Sequence, residues 1–243
     1  MIKTDRLKIA YGKHTVLNET TLKLTKSYTV LGSNGSGKSS FAKAISGLIS
    51  YSGSIKIDKK EVLQTNPKEL AKLITYIPPK LESFDQNITL FEFVLLSRYA
   101  YKRRFFDFSY SDKKITKKII NSLGLEPLSS KSIGGLSSGE SALALIATAL
   151  ATNSNIMIFD EPTANLDPKN SKKIAQIIKN LLNKHQILLI THDIIFAYFM
   201  ELDVLFMQDG RLSFYEYKTF FCDKTLSNLY GVTFKNMEIF YEG

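Results

Sequence analysis

Gly32-Ser33-Asn34-Gly35-Ser36-Gly37-Lys38-Ser39 decides the fold. The spacing is G-x-x-x-x-G-K-[ST]. An apolar run, Tyr28 to Leu31, stands directly before it, and helical spacing from about Lys38 to Ile45, ending near Gly47, follows it. Strand, glycine loop and helix in that order are the context that makes the pattern a P-loop. Glycines reach backbone conformations closed to other residues, so successive N–H groups can turn inward on a phosphate. The dipole and unpaired N–H groups of the following helix add to that attraction. In this reading Lys38 offsets the charge of the β- and γ-phosphates, the Ser39 hydroxyl ligates Mg²⁺, and Ser40 extends the cradle. A glycine-serine linker would lack the flanking apolar strand and helix.

Working outward, Ile156-Met157-Ile158-Phe159-Asp160-Glu161 is an apolar strand ending in two carboxylates, the form of a Walker B segment. Alone, such a run is usually a strand leaving the core; beside a P-loop it gains chemical meaning. Asp160 would hold Mg²⁺ directly or through water, and Glu161, one step on, would polarise the water that attacks the γ-phosphate. Before the P-loop, Leu7, Ile9 and Tyr11, then Val16, Leu22 and Leu24, alternate about the turn Gly12-Lys13 as antiparallel strands do. Ser54 to Ile57 and Ile74 to Ile77 read as further strands. From about Leu81 to Lys131 the spacing turns helical, with Phe91, Val94 and Leu95 on one face and Ile115, Ile119, Ile120 and Leu123 on another. An Ala-rich helix then runs to Ala151, the Walker B strand follows, a helix is expected around Lys172 to Leu182, and Ile187 to Ile190 is a strand. Alternating strand and helix place these cores in one mainly parallel sheet, an α/β architecture. Val204 to Met207, Asp209-Gly210 and Leu212 to Tyr215 read as a hairpin.

The chain of 243 residues is 44% hydrophobic and 23% charged, a globular composition. Its apolar runs fall short of a bilayer span and its N-terminus lacks an apolar signal core, so a cytoplasmic address is expected. Cys222 is the single cysteine and is expected to be a small core residue, so no internal disulfide supports the fold. The net charge of +9 would suit a nucleic acid, an anionic bilayer or a polyanionic ligand. Lys113, Lys114, Lys117 and Lys118 read more simply as a solvated helix face.

Leu136-Ser137-Ser138-Gly139-Glu140 resembles the LSGGQ signature of ABC ATPases and lies shortly before the Walker B strand, as that family requires. Ala164-Asn165-Leu166-Asp167 is similar to its D-loop, and His192 in Thr191-His192-Asp193 to its switch histidine. Tyr11 sits where the family stacks an aromatic on adenine. The resemblance covers essentially the whole chain. It implies a single ABC ATPase domain over 1–243: a P-loop NTPase core, an N-terminal antiparallel β subdomain, an α-helical subdomain inserted at about 81–135, and a C-terminal hairpin and tail at about 204–243.

It also implies ATP and Mg²⁺ as cofactors, with Glu161 and His192 catalytic and Ser39 and Asp160 on the metal. Two cassettes would meet head to tail as a homodimer, with Ser137, Gly139 and Glu140 of one reaching the nucleotide of the other and Asp167 linking the two sites. Leu95-Leu96-Ser97-Arg98-Tyr99 resembles a segment of cassettes that import iron–siderophore, haem or cobalamin, and Leu226 to Val232 resembles their shared ending. On that resemblance the helical insert faces an integral-membrane permease, a substrate-binding protein acts indirectly, no nucleic acid is involved, and the chain is peripheral at the cytoplasmic face of the inner membrane.

Departures from the family bear on the rate. Ser141, Ala142 and Leu143 replace a polar, basic stretch after the signature, Thr148 replaces a frequent Arg, Ser138 replaces a glycine and Glu140 a glutamine. Pro79, in Tyr76-Ile77-Pro78-Pro79, stands where the family has the Q-loop glutamine. Gln86 or Lys80 could take over, but a slow site without that sensor is the expectation, since an isolated Gln is usually at the surface. A regulatory cassette with little hydrolysis and a soluble ABC ATPase acting on DNA or ribosomes are the alternatives.

Overall fold

The computed structural model describes residues 1–81, 84–102 and 107–234. β1 (Ile2–Tyr11) and β2 (His14–Leu24) pair antiparallel across the Gly12-Lys13 turn. Along β1 the buried set shifts from Ile2 and Thr4 to Leu7 and Ile9. Arg6, at φ +46°, sits in the bulge that makes this shift. Gly53 answers it on the neighbouring strand, where a Cβ would lie 2.2 Å from the Arg6 carbonyl oxygen. β3 (Tyr28–Leu31) leaves for a second sheet and delivers the glycine loop to α1 (Lys38–Ile45). β4 (Ser52–Ile57) returns to the other edge of β1, and β5 (Lys60–Glu61) completes a four-stranded antiparallel sheet in the order β2-β1-β4-β5.

α2 (Pro67–Leu73) leads into β6 (Ile74–Ile77), then α3 (Leu90–Leu96), α4 (Tyr110–Ser122) and α5 (Ser138–Thr152) follow before the chain re-enters the sheet at β7 (Ile156–Asp160). α6 (Pro168–Leu181), β8 (Gln186–Ile190), α7 (Ile194–Met200) and the hairpin of β9 (Val204–Gln208) and β10 (Arg211–Tyr215) come next, and α8 (Tyr217–Phe220) and α9 (Asp223–Tyr230) end the described chain. The six-stranded sheet runs β10-β9-β3-β8-β7-β6, parallel except for the β9–β10 hairpin. β3 and β7 are buried at every residue, which is why they read as unbroken apolar runs rather than alternation. Ile156 and Ile158 pack with Phe41 and Ile45 of α1 on one face; Met157 and Phe159 pack with α5 on the other. The carboxyl ends of β3, β8, β7 and β6 therefore lie side by side, the edge of a parallel sheet where loops gather to bind ligands.

The insert folds on the α5 face. Thr89 with Glu92 and Ser109 with Asp112 form capping boxes that start α3 and α4. Leu90, Phe93, Val94 and Ile120 join the core beneath them. The lysine face of α4 is exposed at Lys113, Lys114, Lys117 and Lys118. Within the expected 81–135 insert and 204–243 tail, residues 82–83, 103–106 and 235–243 lie outside the described residues.

Three expectations change. α6 begins at Pro168, earlier than its apolar spacing suggests, because Asp167 caps it and Pro168 occupies its first position. Cys222 is exposed, not core: it precedes α9, and its sulfur contacts the Thr219 carbonyl oxygen and the Thr225 hydroxyl. Arg98, expected to face a partner, is buried. Its Nε donates to Asp112 Oδ1 at 3.0 Å, its Nη1 donates to the Ala151 carbonyl at 2.9 Å, and its guanidinium lies over the Tyr101 ring. Burial opposes ionisation of Asp112, but hydrogen bonds from Ser109 and Arg98 outweigh it and hold the carboxyl below its usual range. No helix among the described residues is long and apolar enough to cross a membrane.

Candidate active site

The glycine loop leaves β3 under tight constraint. At Gly32 a Cβ would fall 2.2 Å from the Met207 carbonyl oxygen, and at Gly37, with φ +103°, it would strike Val16 Cγ1 at 2.3 Å. Only glycine fits either position. Ser33, Asn34 and Gly35 form the exposed rim of the loop. The Ser36 hydroxyl is buried without a hydrogen-bond partner, a polar atom that a phosphate oxygen would satisfy. Lys38 is buried and its ammonium donates to the carbonyl oxygens of Gly32 at 2.8 Å and Ser33 at 3.0 Å. Burial pushes its pKa down, with Glu161 and Asp160 pulling the other way. Tyr11, brought in at the β1–β2 turn and 52% exposed, donates its hydroxyl to Ser40 Oγ at 3.3 Å. That leaves the ring at the solvent edge of α1.

At the end of β7, Asp160 is 1% exposed and receives two hydroxyls. Ser39 donates to Oδ1 at 3.1 Å, and Tyr76 donates to Oδ2 at 2.7 Å. Burial raises the Asp160 pKa against both hydrogen bonds, and burial together with Asp160 pushes the Tyr76 phenol well above its usual range. A desolvated carboxylate converging with a serine hydroxyl at the mouth of an anion-binding loop is a hard-oxygen donor set. It fits Mg²⁺ that arrives with phosphate oxygens rather than a cation held in an all-protein cage.

Glu161 leaves the strand at φ +50°, its N–H donating to the Ile190 carbonyl at 2.8 Å. This turn swings its side chain across to the end of β8. Oε1 lies 2.9 Å from His192 Nδ1, while the Thr191 hydroxyl and the His192 N–H donate to Oε2 at 3.3 and 3.4 Å. A carboxylate so held can accept a proton from water in a fixed direction. Lys38, Ser39, Asp160, Glu161 and His192, distant in the chain, thus meet along adjacent strand ends.

Ser137, Gly139, Glu140 and Asp167 form a second group. Ser137 caps α5, and the Glu140 carboxylate turns back to accept the Ser137 N–H at 2.8 Å, with Lys131 at 3.9 Å. Ser137, expected to reach the nucleotide of a second cassette, has its N–H bonded here to its own helix. The backbone N–H of Ser137 chiefly holds Glu140 below the usual carboxylate range. Gly139 backs onto Asn170, where a Cβ would lie 3.0 Å from the amide carbon, and Asp167 accepts from the Asn170 N–H at 3.0 Å and its amide at 2.6 Å. The signature and the D-loop are knit through one asparagine.

Pro79 is exposed beyond β6. The Gln86 side-chain amide donates to the carbonyls of Leu81 at 2.9 Å and Phe84 at 2.8 Å, and the Gln86 backbone carbonyl accepts the Gly134 N–H at 3.0 Å, so Gln86 ties its own loop to the approach to the signature. A cavity of about 370 Å³ lies between Pro79, Gln86, Ala142, Leu145 and Leu166, where Ser141 and Ala142 replace longer polar side chains. Sequence reasoning missed Tyr76 and Thr191. Tyr76 is paired with Ile158 across β6 and β7, hence on the Asp160 face of the pleat, a relation that only register reveals.

Comparison with known proteins identifies the family. The ABC transporter family profile matches residues 18–164. An ABC transporter ATP-binding protein of Methanocaldococcus jannaschii is 30% identical over 215 residues, covering 86% of this chain and 83% of its own. The iron(3+)-hydroxamate import ATP-binding protein of Bacillus subtilis is 29% identical, covering 79% and 73%. A dimeric ATP-binding cassette solved in a post-hydrolysis state with ADP and phosphate superposes with a TM-score of 0.77 at 25% identity, over 89% of this chain and 99% of that one. With a profile match over more than half its length, running through both the phosphate loop and the Asp160-Glu161 pair, this chain belongs to the ABC transporter family as an ATP-hydrolysing cassette.

Proposed function

We propose that the chain is the motor subunit of an importer for a metal chelate, working as a homodimer against a separate integral-membrane permease, at the cytoplasmic face of the inner membrane. The observation that carries the catalytic part is the meeting of Ser39, Asp160, Glu161 and His192 beside a phosphate loop. The N–H groups of residues 33–38 and the Lys38 ammonium would hold the β- and γ-phosphates of ATP. Ser39 and Asp160 would hold Mg²⁺, which when bound neutralises charge on the phosphate oxygens. Glu161, oriented by His192 and Thr191, takes the proton of the attacking water as its oxygen bonds to the γ-phosphorus and the bond from that phosphorus to the β–γ bridging oxygen breaks, so that ADP and phosphate leave. Ser137 and Gly139 of the second cassette would complete the site, consistent with the dimeric assembly of the ADP- and phosphate-bound relative.

Docking on a permease is supported by an apolar groove of about 580 Å³ between the end of α1, α2 and the end of α3, with Leu48, Leu63, Leu96 and Tyr99 exposed along it. Exposed apolar side chains grouped in one groove mark a protein contact. Metal-chelate cargo rests on the named activity of the B. subtilis relative; a binding protein would present it. Purifying the chain with its genomic-neighbour permease, then measuring ATPase and chelate uptake in vesicles, tests the reading. Uptake driven by ATP and abolished by Glu161→Gln is expected; an ATPase unaffected by permease and chelate would overturn the transport assignment. Pro79 favours a second reading, a slow regulatory cassette, which the same assay separates by rate.

A further inference from the structure

We infer that Tyr76 is the positioning residue that holds the Asp160 carboxylate for Mg²⁺, in the role left open by Pro79, and that it links this carboxylate to the apolar groove. The inference rests on the reading of Asp160 as the metal-bearing carboxylate. Asp160 has two oxygens and each receives one hydroxyl: Ser39 on Oδ1 from the phosphate loop, Tyr76 on Oδ2 from β6. Ser39 is expected to turn its oxygen to the cation, whereas Tyr76 remains a donor. Of the two contacts it is therefore Tyr76 that fixes the rotation of the carboxylate.

Position in the sheet makes this contact rigid. Tyr76 and Ile158 are directly paired across parallel strands, and Asp160 lies two residues beyond Ile158, on the same face. The tyrosine ring packs in the core beneath α1. Its hydroxyl is set by the strand, not by a loop. Three residues later the chain reaches Pro79, whose side chain can donate no hydrogen bond and whose backbone has no N–H. Among the described residues of this strand and the loop after it, Tyr76 donates to Asp160, while Gln86 is spent on Leu81 and Phe84. Tyr76 also lines the groove together with Leu48, Leu96 and Tyr99. A partner seated in that groove would press on a side chain whose hydroxyl holds the Asp160 carboxylate.

The test is the Mg²⁺ dependence of ATP binding, measured by calorimetry in a Glu161→Gln background so that no turnover intervenes, with Mn²⁺ electron paramagnetic resonance as the spectroscopic readout. Tyr76→Phe removes one oxygen and keeps the ring. ATP affinity in chelator should stay within twofold of the parent, while the Mg²⁺ concentration for half-maximal tight binding rises about tenfold and the bound Mn²⁺ spectrum changes. Adding Pro79→Gln to Tyr76→Phe should bring the midpoint back towards the parent. A Tyr76→Phe midpoint within twofold of the parent, or a double variant no better than Tyr76→Phe, overturns the inference. Asp160→Asn is run in parallel: if it too leaves the Mg²⁺ midpoint unmoved, the metal reading of Asp160 falls and takes this inference with it, an outcome distinct from failure at Tyr76 alone.

Discussion

His192 Nδ1 lies 2.9 Å from Glu161 Oε1, the shortest of the side-chain contacts that join the end of β8 to Glu161 at the end of β7. A carboxylate only accepts, so the imidazole donates through Nδ1 and its neutral form keeps Nε2 as an acceptor. Glu161→Gln should retain ATP binding and lose turnover by roughly 10²-fold or more, the usual cost of removing a general base. A steady-state rate near the parent's would place the base elsewhere.

Lys38→Ala should abolish tight ATP binding. The ammonium is buried among loop carbonyls and is the cation closest in sequence to the cradle, so its loss leaves phosphate charge uncompensated. Calorimetric titration with ATP checks this; unchanged affinity would remove the P-loop assignment.

Arg98→Glu and Tyr99→Ala should now part company. Reversing Arg98 leaves Asp112 facing a second carboxylate in a buried position, a loss of about 3–5 kcal/mol for a broken buried pair. The melting temperature should fall whether or not a permease is present. Tyr99 is exposed in the groove, so Tyr99→Ala should weaken permease co-purification with the melting temperature and ATP affinity intact.

The same pair sets an acid limit. Asp112 has its folded-state pKa below the ordinary value of about 3.9. Its contribution is complete above that unfolded value and is lost as pH falls through the lower folded one. Thermal melts from pH 7 to pH 2.5 should show a steepening loss below about pH 4 that Asp112→Asn flattens.

Gln86→Ala should change turnover little, because its amide is committed to Leu81 and Phe84 rather than to Asp160 or Glu161. A fall in kcat as large as that of Glu161→Gln would show that the loop re-registers during the cycle.

Most of the framework was legible because the decisive residues are local. Gly32 to Ser39 carries strand, loop and helix in one stretch, and the unbroken apolar run before Asp160 marks a strand buried on both faces. What escaped was long-range pairing. Arg98 looked like part of a surface segment because neither Asp112 nor the Ala151 carbonyl can be placed beside it without knowing how α3, α4 and α5 cross. Tyr76 looked like a strand aromatic because its hydroxyl gains meaning only when β6 registers against β7. Cys222 was expected inside from residue type alone, yet its place just before α9 leaves it in solvent. The start of α6 differs for the opposite reason: Asp167 and Pro168 are local capping signals that place it before the first apolar residues of its spacing.

The turn-back of Glu140 onto Ser137 has a consequence for closing. In a head-to-tail dimer the γ-phosphate would approach a helix start that already carries a negative guest of its own. Closure then becomes an exchange of one anion for another at the same N–H group, and only the difference between them is gained. A glutamine there would seat a neutral amide oxygen on that N–H; this cassette seats a charged carboxylate, which Lys131 already approaches to 3.9 Å. In such a dimer the grip would be set as much by what Glu140 gives up as by what ATP brings.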